Sequence, residues 1–178
     1  MAVSKLKLRF PCDKITYWES RYILTQGDDG EIKEAVDRSL SAGYFTKPDL
    51  VAICRWKASL IVSLCEKNPE DFIHAVTKAA LDSTCERFRI HAPTLLQGVG
   101  WRVSSVLLHF AGKEPYPIID FRALWSLGYD LAATDDYHFD FWWNYAEFCR
   151  KTAAECGVSM RKLDRALWQY SKENQKER

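Results

Sequence analysis

Hydrophobic residues recur along the chain at intervals of three and four positions, the spacing that places side chains on one face of an α-helix. Ile15, Trp18, Tyr22 and Ile23 show this spacing close to the N-terminus. Glycine, proline and acidic residues separate the successive periodic segments, as is typical of helix ends. We therefore predict a series of helices that are joined by short turns.

The predicted helices share this periodicity and these end signals. In chain order they cover about residues 13–26, 31–40, 48–65, a segment opened by Asn68 and Pro69, 83–90, a segment begun by Pro93, 103–111, 119–127, 137–155 and 159–170. The long third helix is expected to bury one face, formed by Leu50, Ile53, Trp56, Leu60 and Leu64. Asp135 and Asp136 are predicted to cap the aromatic helix 137–155. The polar tail 171–178 is expected to fray.

Strands are nearly absent from this pattern. Residues 5–10 alternate between polar and apolar side chains, but one isolated segment of this kind does not make a sheet. The predicted fold class is therefore all-α. Since 178 residues are a usual length for one domain, we predict a single domain over residues 1–178.

Composition and charge narrow the class of protein. Hydrophobic residues make up 47% of the chain, which excludes a mostly disordered protein. The formal net charge is +1, which argues against a polycationic coat for nucleic acid. The sequence contains no apolar run of about 18 residues, the length needed to span a membrane, and its first ten residues lack the apolar core of a signal peptide. We expect an intracellular protein, cytoplasmic, nucleoid-associated or nuclear.

The potential metal ligands are scattered. The six cysteines, Cys12, Cys54, Cys65, Cys85, Cys149 and Cys156, contain no Cys-x-x-Cys pair. Without a secretory signal, reduced and buried thiols are the expected state. The four histidines are equally dispersed, so no metal site formed by side chains is predicted.

Residues 95–128 carry more chemical information than the rest of the chain. Gly98 and Gly100 flank Val99 just before an apolar helix, so that the backbone can turn tightly and present amides at the positive helix end. Such a turn binds anions, and a DNA phosphate is an obvious candidate, although a plain helix–helix turn has the same spacing. Asp120 follows an apolar run, where it fits a helix N-cap and is free to have a second role.

Two short motifs in this segment resemble those of a known family. Leu96-Gln97-Gly98-Val99-Gly100 and Tyr116-Pro117-Ile118-Ile119-Asp120 are similar to the hairpin and the catalytic loop of the helix-hairpin-helix DNA glycosylase superfamily, HhH-GPD. Gln97 stands where that family commonly has proline. The spacing between the two motifs also fits without a gap, and the segment 95–128 that contains them covers about a fifth of the chain.

The resemblance implies a two-lobed helical fold with a central cleft, DNA as the partner and Asp120 at the mouth of the cleft. The Asp120 carboxylate would stabilise the oxocarbenium-like sugar as the base departs, or orient the attacking water. Gly98, Val99 and Gly100 would present amides to a DNA phosphate, with a monovalent cation held by the hairpin carbonyls as a further possibility.

The resemblance also suggests secondary contacts. Arg102 would contact phosphate, although a plain surface arginine fits equally well. A flipped nucleotide needs stacking partners, and Trp101, Trp125 or one of the pair Trp142 and Trp143 would supply them. With so little net charge, binding would rely on a local basic face, for which Arg102, Lys113, Arg122, Lys5, Lys7 and Arg9 are the candidates.

Departures from the family pattern limit the expected chemistry. Bifunctional members carry a Schiff-base lysine two residues after the second hairpin glycine, where this chain has Arg102. Because a guanidinium stays protonated, no lyase activity is expected at this position. Cys149 and Cys156 match the first spacing of the family's iron–sulfur loop, but Ser159 and Arg165 stand at the next two positions, so no cluster is expected.

The residues after Asp120 depart as well. Phe121, Arg122 and Ala123 replace the Thr-His-Val or Gly-Asn-Val that is common in the family, which points to a different substrate range. The leading hypothesis is a base-excision-repair type protein, a monofunctional DNA glycosylase that acts on a damaged or unusual base. A noncatalytic helix-hairpin-helix DNA-binding module is the alternative, and a protein-interaction domain that keeps only the fold is a third possibility.

Overall fold

The computed structural model describes residues 6–129 and 137–176, which are helical apart from the segments that connect the helices. The α-helices are α1 (Ile15–Gln26), α2 (Gly30–Ala42), α3 (Lys47–Ala58), α4 (Val62–Cys65), α5 (Glu70–Asp82), α6 (Glu86–His91), α7 (Trp101–Ala111), α8 (Phe121–Ser126), α9 (Phe139–Glu155) and α10 (Met160–Asn174). Short 3-10 helices occupy Cys12–Lys14, Ser59–Ile61 and Ala92–Leu95. No strand occurs within these two ranges, and the predicted all-α class is confirmed.

The chain divides into two compact units, each with its own buried side chains. One unit combines residues 1–28 with residues 116–178, and the other comprises residues 29–115. The first therefore contains α1, α8, α9 and α10, whereas the second contains α2 to α7.

In the unit formed by the two chain ends, α10 packs against α1, α8 and α9. The largest fully buried side chains of this unit are aromatic, namely Trp142, Tyr116 and Tyr145. The N-terminal segment pairs with the end of α8, because the Lys7 and Arg9 amides donate to the carbonyls of Leu127 (2.9 Å) and Ser126 (3.0 Å). Alternate residues of this segment donate hydrogen bonds, as in a strand, but the accepting carbonyls lie at the end of a helix.

In the unit of residues 29–115, α3 packs against α2, α5 and α7 around aliphatic side chains. A capping box starts α3, since the Thr46 side chain accepts from the Asp49 amide and the Asp49 carboxylate accepts from the Thr46 amide. Asp49 is fully buried and is paired with Arg38 at 2.8 Å. This pairing joins α2 to the first turn of α3.

The predicted helix 48–65 is broken in the structure. Ala58 adopts a non-helical conformation (φ −159°, ψ 78°), after which the chain continues through the 3-10 helix Ser59–Ile61 into α4. The break removes Leu60 from the expected buried face and leaves it 95% exposed. Apolar periodicity continued across the break, which explains why the sequence pattern did not reveal it.

Two predicted helix ends also differ from those observed. His138 caps α9 by accepting from the Phe141 amide, whereas the proposed caps Asp135 and Asp136 lie outside the described residues. The last helix extends into the polar tail as far as Asn174. Ser171 is buried there and Glu173 accepts from Arg21 of α1 at 2.6 Å, so the prediction of fraying is wrong for residues 171–174.

The prediction of six reduced thiols is wrong for one pair. Cys12 and Cys156 form a disulfide with a Cα–Cα distance of 5.5 Å across a sequence separation of 144 residues. It ties the first 3-10 helix to the end of α9, a proximity that the linear spacing of cysteines cannot reveal. Cys54, Cys65 and Cys149 are free and buried as expected, whereas the free Cys85 is exposed.

Among the described helices, none combines the length and the apolar character that crossing a bilayer requires.

The Cys12–Cys156 disulfide should contribute strongly to stability, because it closes a long loop in the unfolded chain. We predict that Cys12→Ser combined with Cys156→Ser lowers the free energy of unfolding by about 2–5 kcal/mol. Urea denaturation without reductant measures the change. Cys85→Ser removes an exposed free thiol and is the matched control, for which we expect no shift; equal stability of both variants would contradict the cross-link.

Candidate functional site

The turn of residues 96–100 connects the 3-10 helix Ala92–Leu95 to α7. The Val99 amide donates to the Leu96 carbonyl at 3.1 Å, and Gly98 has a φ of +80°, the left-handed region that favours glycine. Gly100 is extended (φ −97°, ψ −174°) and forms the N-cap of α7. The chain thus reverses direction over five residues and enters a helix at once.

The side chain of Asn68 anchors this turn through hydrogen bonds. It is bonded to both backbone groups of Gln97, since Nδ2 donates to the Gln97 carbonyl (3.0 Å) and Oδ1 accepts from the Gln97 amide (2.8 Å). Nδ2 also donates to the Cys65 carbonyl at 2.9 Å. Because Asn68 is only 2% exposed, these bonds are shielded from water and connect the turn rigidly to the end of α4.

Gly98 is required here for packing as well as for its backbone angle. A Cβ at this position would lie 2.9 Å from Cys65 Sγ, 3.1 Å from Leu64 Cβ and 3.2 Å from the Cys65 nitrogen. The turn therefore sits directly against α4, with no space for a side chain between them. Sequence reasoning assigned Gly98 to phosphate contact, and the structure adds this packing role.

Gly100, unlike Gly98, has space for a side chain beside it. Apart from Gly100 itself and its two chain neighbours, no heavy atom lies within 4 Å of the position that its Cβ would occupy, and its φ is accessible to every residue. The space beside it is open, and no side chain caps the N-terminus of α7. Open space next to the first amides of an eleven-residue helix is what close approach of an anion requires.

The neighbouring side chains differ in exposure. Arg102, in the first turn of α7, is exposed, whereas Trp101 is half-buried with its ring 4.7 Å from that of His91. Lys113, another basic candidate, lies 3.9 Å from the Asp82 carboxylate. Contact of Trp101 or Arg102 with DNA stays a prediction.

The carbonyl groups of the turn bear on the expected monovalent cation. The Leu96, Gln97 and Gly100 carbonyls accept hydrogen bonds from Val99, Asn68 and Ser104, respectively. Each of these three oxygens thus accepts a hydrogen bond within the protein, and cation binding at the turn stays a prediction. Over the described part of the chain, no cluster of three or more histidine, cysteine or acidic side chains could hold a metal ion.

Asp120 lies in the other unit and caps α8. Its Oδ1 accepts from the Ala123 amide at 2.8 Å, and the residue is 7% exposed. The N-cap role expected from the sequence is therefore confirmed. The carboxylate therefore lies at the N-terminal end of a short helix.

The backbone that leads into Asp120 is clamped on both sides at Ile118. The Ile118 amide donates to Asp164 Oδ1 (3.2 Å), and the Ile118 carbonyl accepts from the Tyr145 hydroxyl (2.8 Å). Asp164 of α10 and Tyr145 of α9 are both buried. Side chains from two helices thus fix the position of the loop two residues before Asp120.

The electrostatics of Tyr145 fit this clamping role. Burial raises the pKa of its phenol well above the usual range, and the carboxylates of Asp164 and Asp120 act in the same direction. The hydroxyl therefore stays protonated at ordinary pH and donates its hydrogen to Ile118. Asp164 is paired in turn with Arg161 of the same helix.

The aromatic residues around the loop form one packed group. Tyr116 is fully buried and stacks on Trp142, with ring centroids 6.0 Å apart and an interplanar angle of 16°. The Arg150 guanidinium lies 4.7 Å from the Tyr116 ring and 5.3 Å from the Trp143 ring. This packing supports the start of the 116–120 segment.

The remaining candidates on α8 have protein partners. The Arg122 guanidinium lies 5.3 Å from the ring of Trp168. Trp125 stacks on Tyr170 with centroids 5.8 Å apart, and the Arg9 guanidinium lies 4.3 Å from its ring. These contacts show packing roles for Arg122 and Trp125, while contact with DNA or a flipped base stays a prediction for both.

Sequence reasoning missed the residues that hold the two motifs. Asn68 appeared as part of a helix start, Tyr145 as one residue of the aromatic helix 137–155, and Asp164 was not singled out. Each lies 27 residues or more from the motif residue that it bonds. A polar residue in an apolar stripe was the available signal, but it does not identify the partner.

Comparison of the chain with protein-family models, with curated proteins and with solved structures gave no match.

The two glycines of the turn should respond differently to alanine. Gly98→Ala adds a Cβ at a positive φ and against Cys65, so we predict a loss of about 2–4 kcal/mol in the free energy of unfolding. Gly100→Ala adds a Cβ to open space and should change stability by less than about 1 kcal/mol. Urea denaturation compares the two variants. Equal losses of stability would show that the close approach of residue 98 to Cys65 does not cause the destabilisation.

Removal of the Tyr145 hydroxyl should weaken the clamp. Tyr145→Phe leaves the buried Ile118 carbonyl without this donor, and we predict destabilisation by about 1–3 kcal/mol. Tyr17→Phe is the control, because Tyr17 is 51% exposed and its ring contact with Trp18 is retained. Thermal and urea unfolding measure both variants, and a Tyr145→Phe protein as stable as the control would rule out the clamp.

Proposed function

We propose that the protein binds DNA through the 96–100 turn and excises a damaged or unusual base as a monofunctional glycosylase, with Asp120 as the catalytic carboxylate. The observation that carries the DNA-binding part is the geometry of the turn. Gly98 is locked against α4, while Gly100 stands beside open space at the start of α7. The turn is thus fixed on one side and accessible at the helix end.

Backbone recognition of phosphate suits the charge of this chain. Amides at a helix N-terminus bind an anion without adding formal charge, so a net charge of +1 is compatible with this mode of DNA binding. Arg102 is exposed one turn or less from the same amides and supplies a local positive charge. Contacts to phosphate position a protein on DNA without selecting a sequence, as a repair protein requires.

The catalytic part of the proposal rests on the hydrogen bonds that fix the position of Asp120. Departure of a base leaves positive charge on the deoxyribose, which a fixed carboxylate stabilises more strongly than water does. The Ala123 amide orients Oδ1, and the Ile118 clamp fixes the backbone that carries the residue. Such fixed charge acts in the transition state without reorganisation, or it orients the water that attacks the sugar.

The lyase step is excluded at Arg102 by its chemistry. A Schiff base needs a neutral amine, and a guanidinium is not deprotonated in proteins. The product should therefore be an intact strand with an abasic site, and borohydride should trap no covalent complex with DNA.

A noncatalytic DNA-binding module is the second candidate. The observation that favours it is the burial of Asp120, which is 7% exposed and already has a structural role as the cap of α8. In this alternative the 96–100 turn binds phosphate in the same way, but no base is released from any substrate.

Substitution of Asp120 by asparagine separates these candidates, because asparagine caps a helix about as well as aspartate while it lacks the charge. We predict that the wild type releases a base from at least one lesion-bearing duplex and that Asp120→Asn lowers the rate at least about 100-fold. Alkali cleavage of the abasic product measures the rate. Thermal unfolding verifies that the cap is retained.

The matched control is Asp140→Asn, which removes one exposed carboxylate from α9 and should leave the rate unchanged. Activity of Asp120→Asn equal to that of the wild type would exclude the catalytic role. Absence of base release over a full lesion panel, together with salt-dependent DNA binding, would select the noncatalytic module.

DNA binding itself is tested at the open glycine. Gly100→Val places a branched side chain where phosphate would approach, and we predict that DNA affinity falls about tenfold, or 1.4 kcal/mol. Lys151→Ala is the control, because it removes one exposed charge from α9. Fluorescence anisotropy with a labelled duplex at low salt measures both. Unchanged affinity in a folded Gly100→Val protein would contradict the assignment of the turn.

A further inference from the structure

Two buried sulfur atoms lie unusually close together beneath the 96–100 turn. Cys54 Sγ and Cys65 Sγ are 2.6 Å apart, and both residues are fully buried. A disulfide bond is about 2.05 Å long, so closure requires the two atoms to approach by roughly half an ångström. Both cysteines are free in the structure.

The break after α3 is what brings these sulfur atoms together. In a continuous helix, residues 11 positions apart would be separated by roughly 16 Å along the axis. The non-helical conformation of Ala58 and the 3-10 helix that follows it turn the chain back, so that α4 returns Cys65 to Cys54. The interruption of the predicted helix 48–65 therefore creates the thiol pair.

The pair is in direct contact with the candidate binding turn. Cys65 Sγ is the atom nearest to the Cβ position of Gly98, and the Cys65 carbonyl accepts from Asn68, which also holds Gln97. A constraint on Cys65 thus acts on Gly98 by packing and on Gln97 through one shared side chain.

We propose that Cys54 and Cys65 are a reversible dithiol–disulfide pair whose closure cross-links α3 to α4 and makes the 96–100 turn more rigid. The oxidant is a low-molecular-weight disulfide of the glutathione class. One thiolate attacks it, giving a mixed disulfide and one released thiol. The second cysteine then attacks the protein sulfur and displaces the other thiol, so that both hydrogen atoms of the pair end on the reduced oxidant.

The rate of exchange should be set by local opening. Burial raises the pKa of both thiols, which keeps them protonated and unreactive while α4 is in place. Helix α4 has only four residues, and its Ser63 and Leu64 are exposed, so one turn must open to present Cys65. The inference concerns the turn itself and holds whether or not the turn binds DNA.

Disulfide mapping of the full-length protein tests the covalent step. The protein is equilibrated in mixtures of reduced and oxidised glutathione, its remaining thiols are blocked with N-ethylmaleimide under denaturing conditions, and it is digested with trypsin. Arg55 and Lys57 lie between the two cysteines, so a bond between them joins two peptides, residues 39–55 and 58–67.

We expect this joined pair of peptides in mixtures that also keep Cys12 bonded to Cys156. Cys149, which is equally buried, should be alkylated in the same samples and is the matched internal control. Alkylation of both Cys54 and Cys65 under those conditions would overturn the proposal.

Hydrogen exchange of the peptide that contains residues 96–102 tests the mechanical step. We expect exchange to be at least threefold slower in the oxidised protein than in the reduced protein. Cys54→Ala and, independently, Cys65→Ala should abolish this difference, whereas Cys85→Ala should retain it. Equal exchange in both redox states, or a difference that persists in both alanine variants, would contradict control of the turn by this pair.

Discussion

The pair of hydrogen bonds between Asn68 and the backbone of Gln97 is the constraint on which the candidate interface depends. A glycine-rich turn is flexible in isolation, and a flexible turn would lose conformational entropy on binding. Asn68 removes that freedom in advance, and the contact between Gly98 and Cys65 removes more of it. The open space beside Gly100 is useful because the rest of the turn is held. An interface made of backbone amides requires this support, since it has no side chains to adjust.

The unit formed by residues 1–28 and 116–178 applies the same principle to a carboxylate. Asp120 is fixed by its own cap on Ala123 and by the two bonds to Ile118, which come from Asp164 and Tyr145. A cap alone would stabilise α8 without the clamp two residues earlier. The additional buried polar groups cost desolvation, which their hydrogen bonds must offset. Several buried hydrogen bonds thus fix the position of Asp120. This is why a chemical role for Asp120 is worth testing in addition to its structural role as a cap.

Local physics accounts for the parts of the fold that could be predicted from the sequence. Helical periodicity and end signals gave the all-α class, and two glycines around Val99 gave the tight turn before α7. The break at Ala58 was missed because apolar spacing continued through it, and Leu60 was therefore placed on a buried face although it is exposed. The Cys12–Cys156 disulfide and the bond from Asn68 to Gln97 join distant positions, and neither local propensity nor spacing contains that information.

The central claim is that the 96–100 turn binds the phosphate backbone of DNA through its amides. Amide chemical shifts from nitrogen-15 NMR, followed while a short DNA duplex is added at low salt, test it most directly. The account predicts that the largest shifts belong to Gly98, Gly100, Trp101 and Arg102, since the Val99 amide already donates to Leu96, and that they reverse when salt is raised. Binding of the duplex with these four amides unchanged, and with the shifts elsewhere on the protein, would contradict the claim.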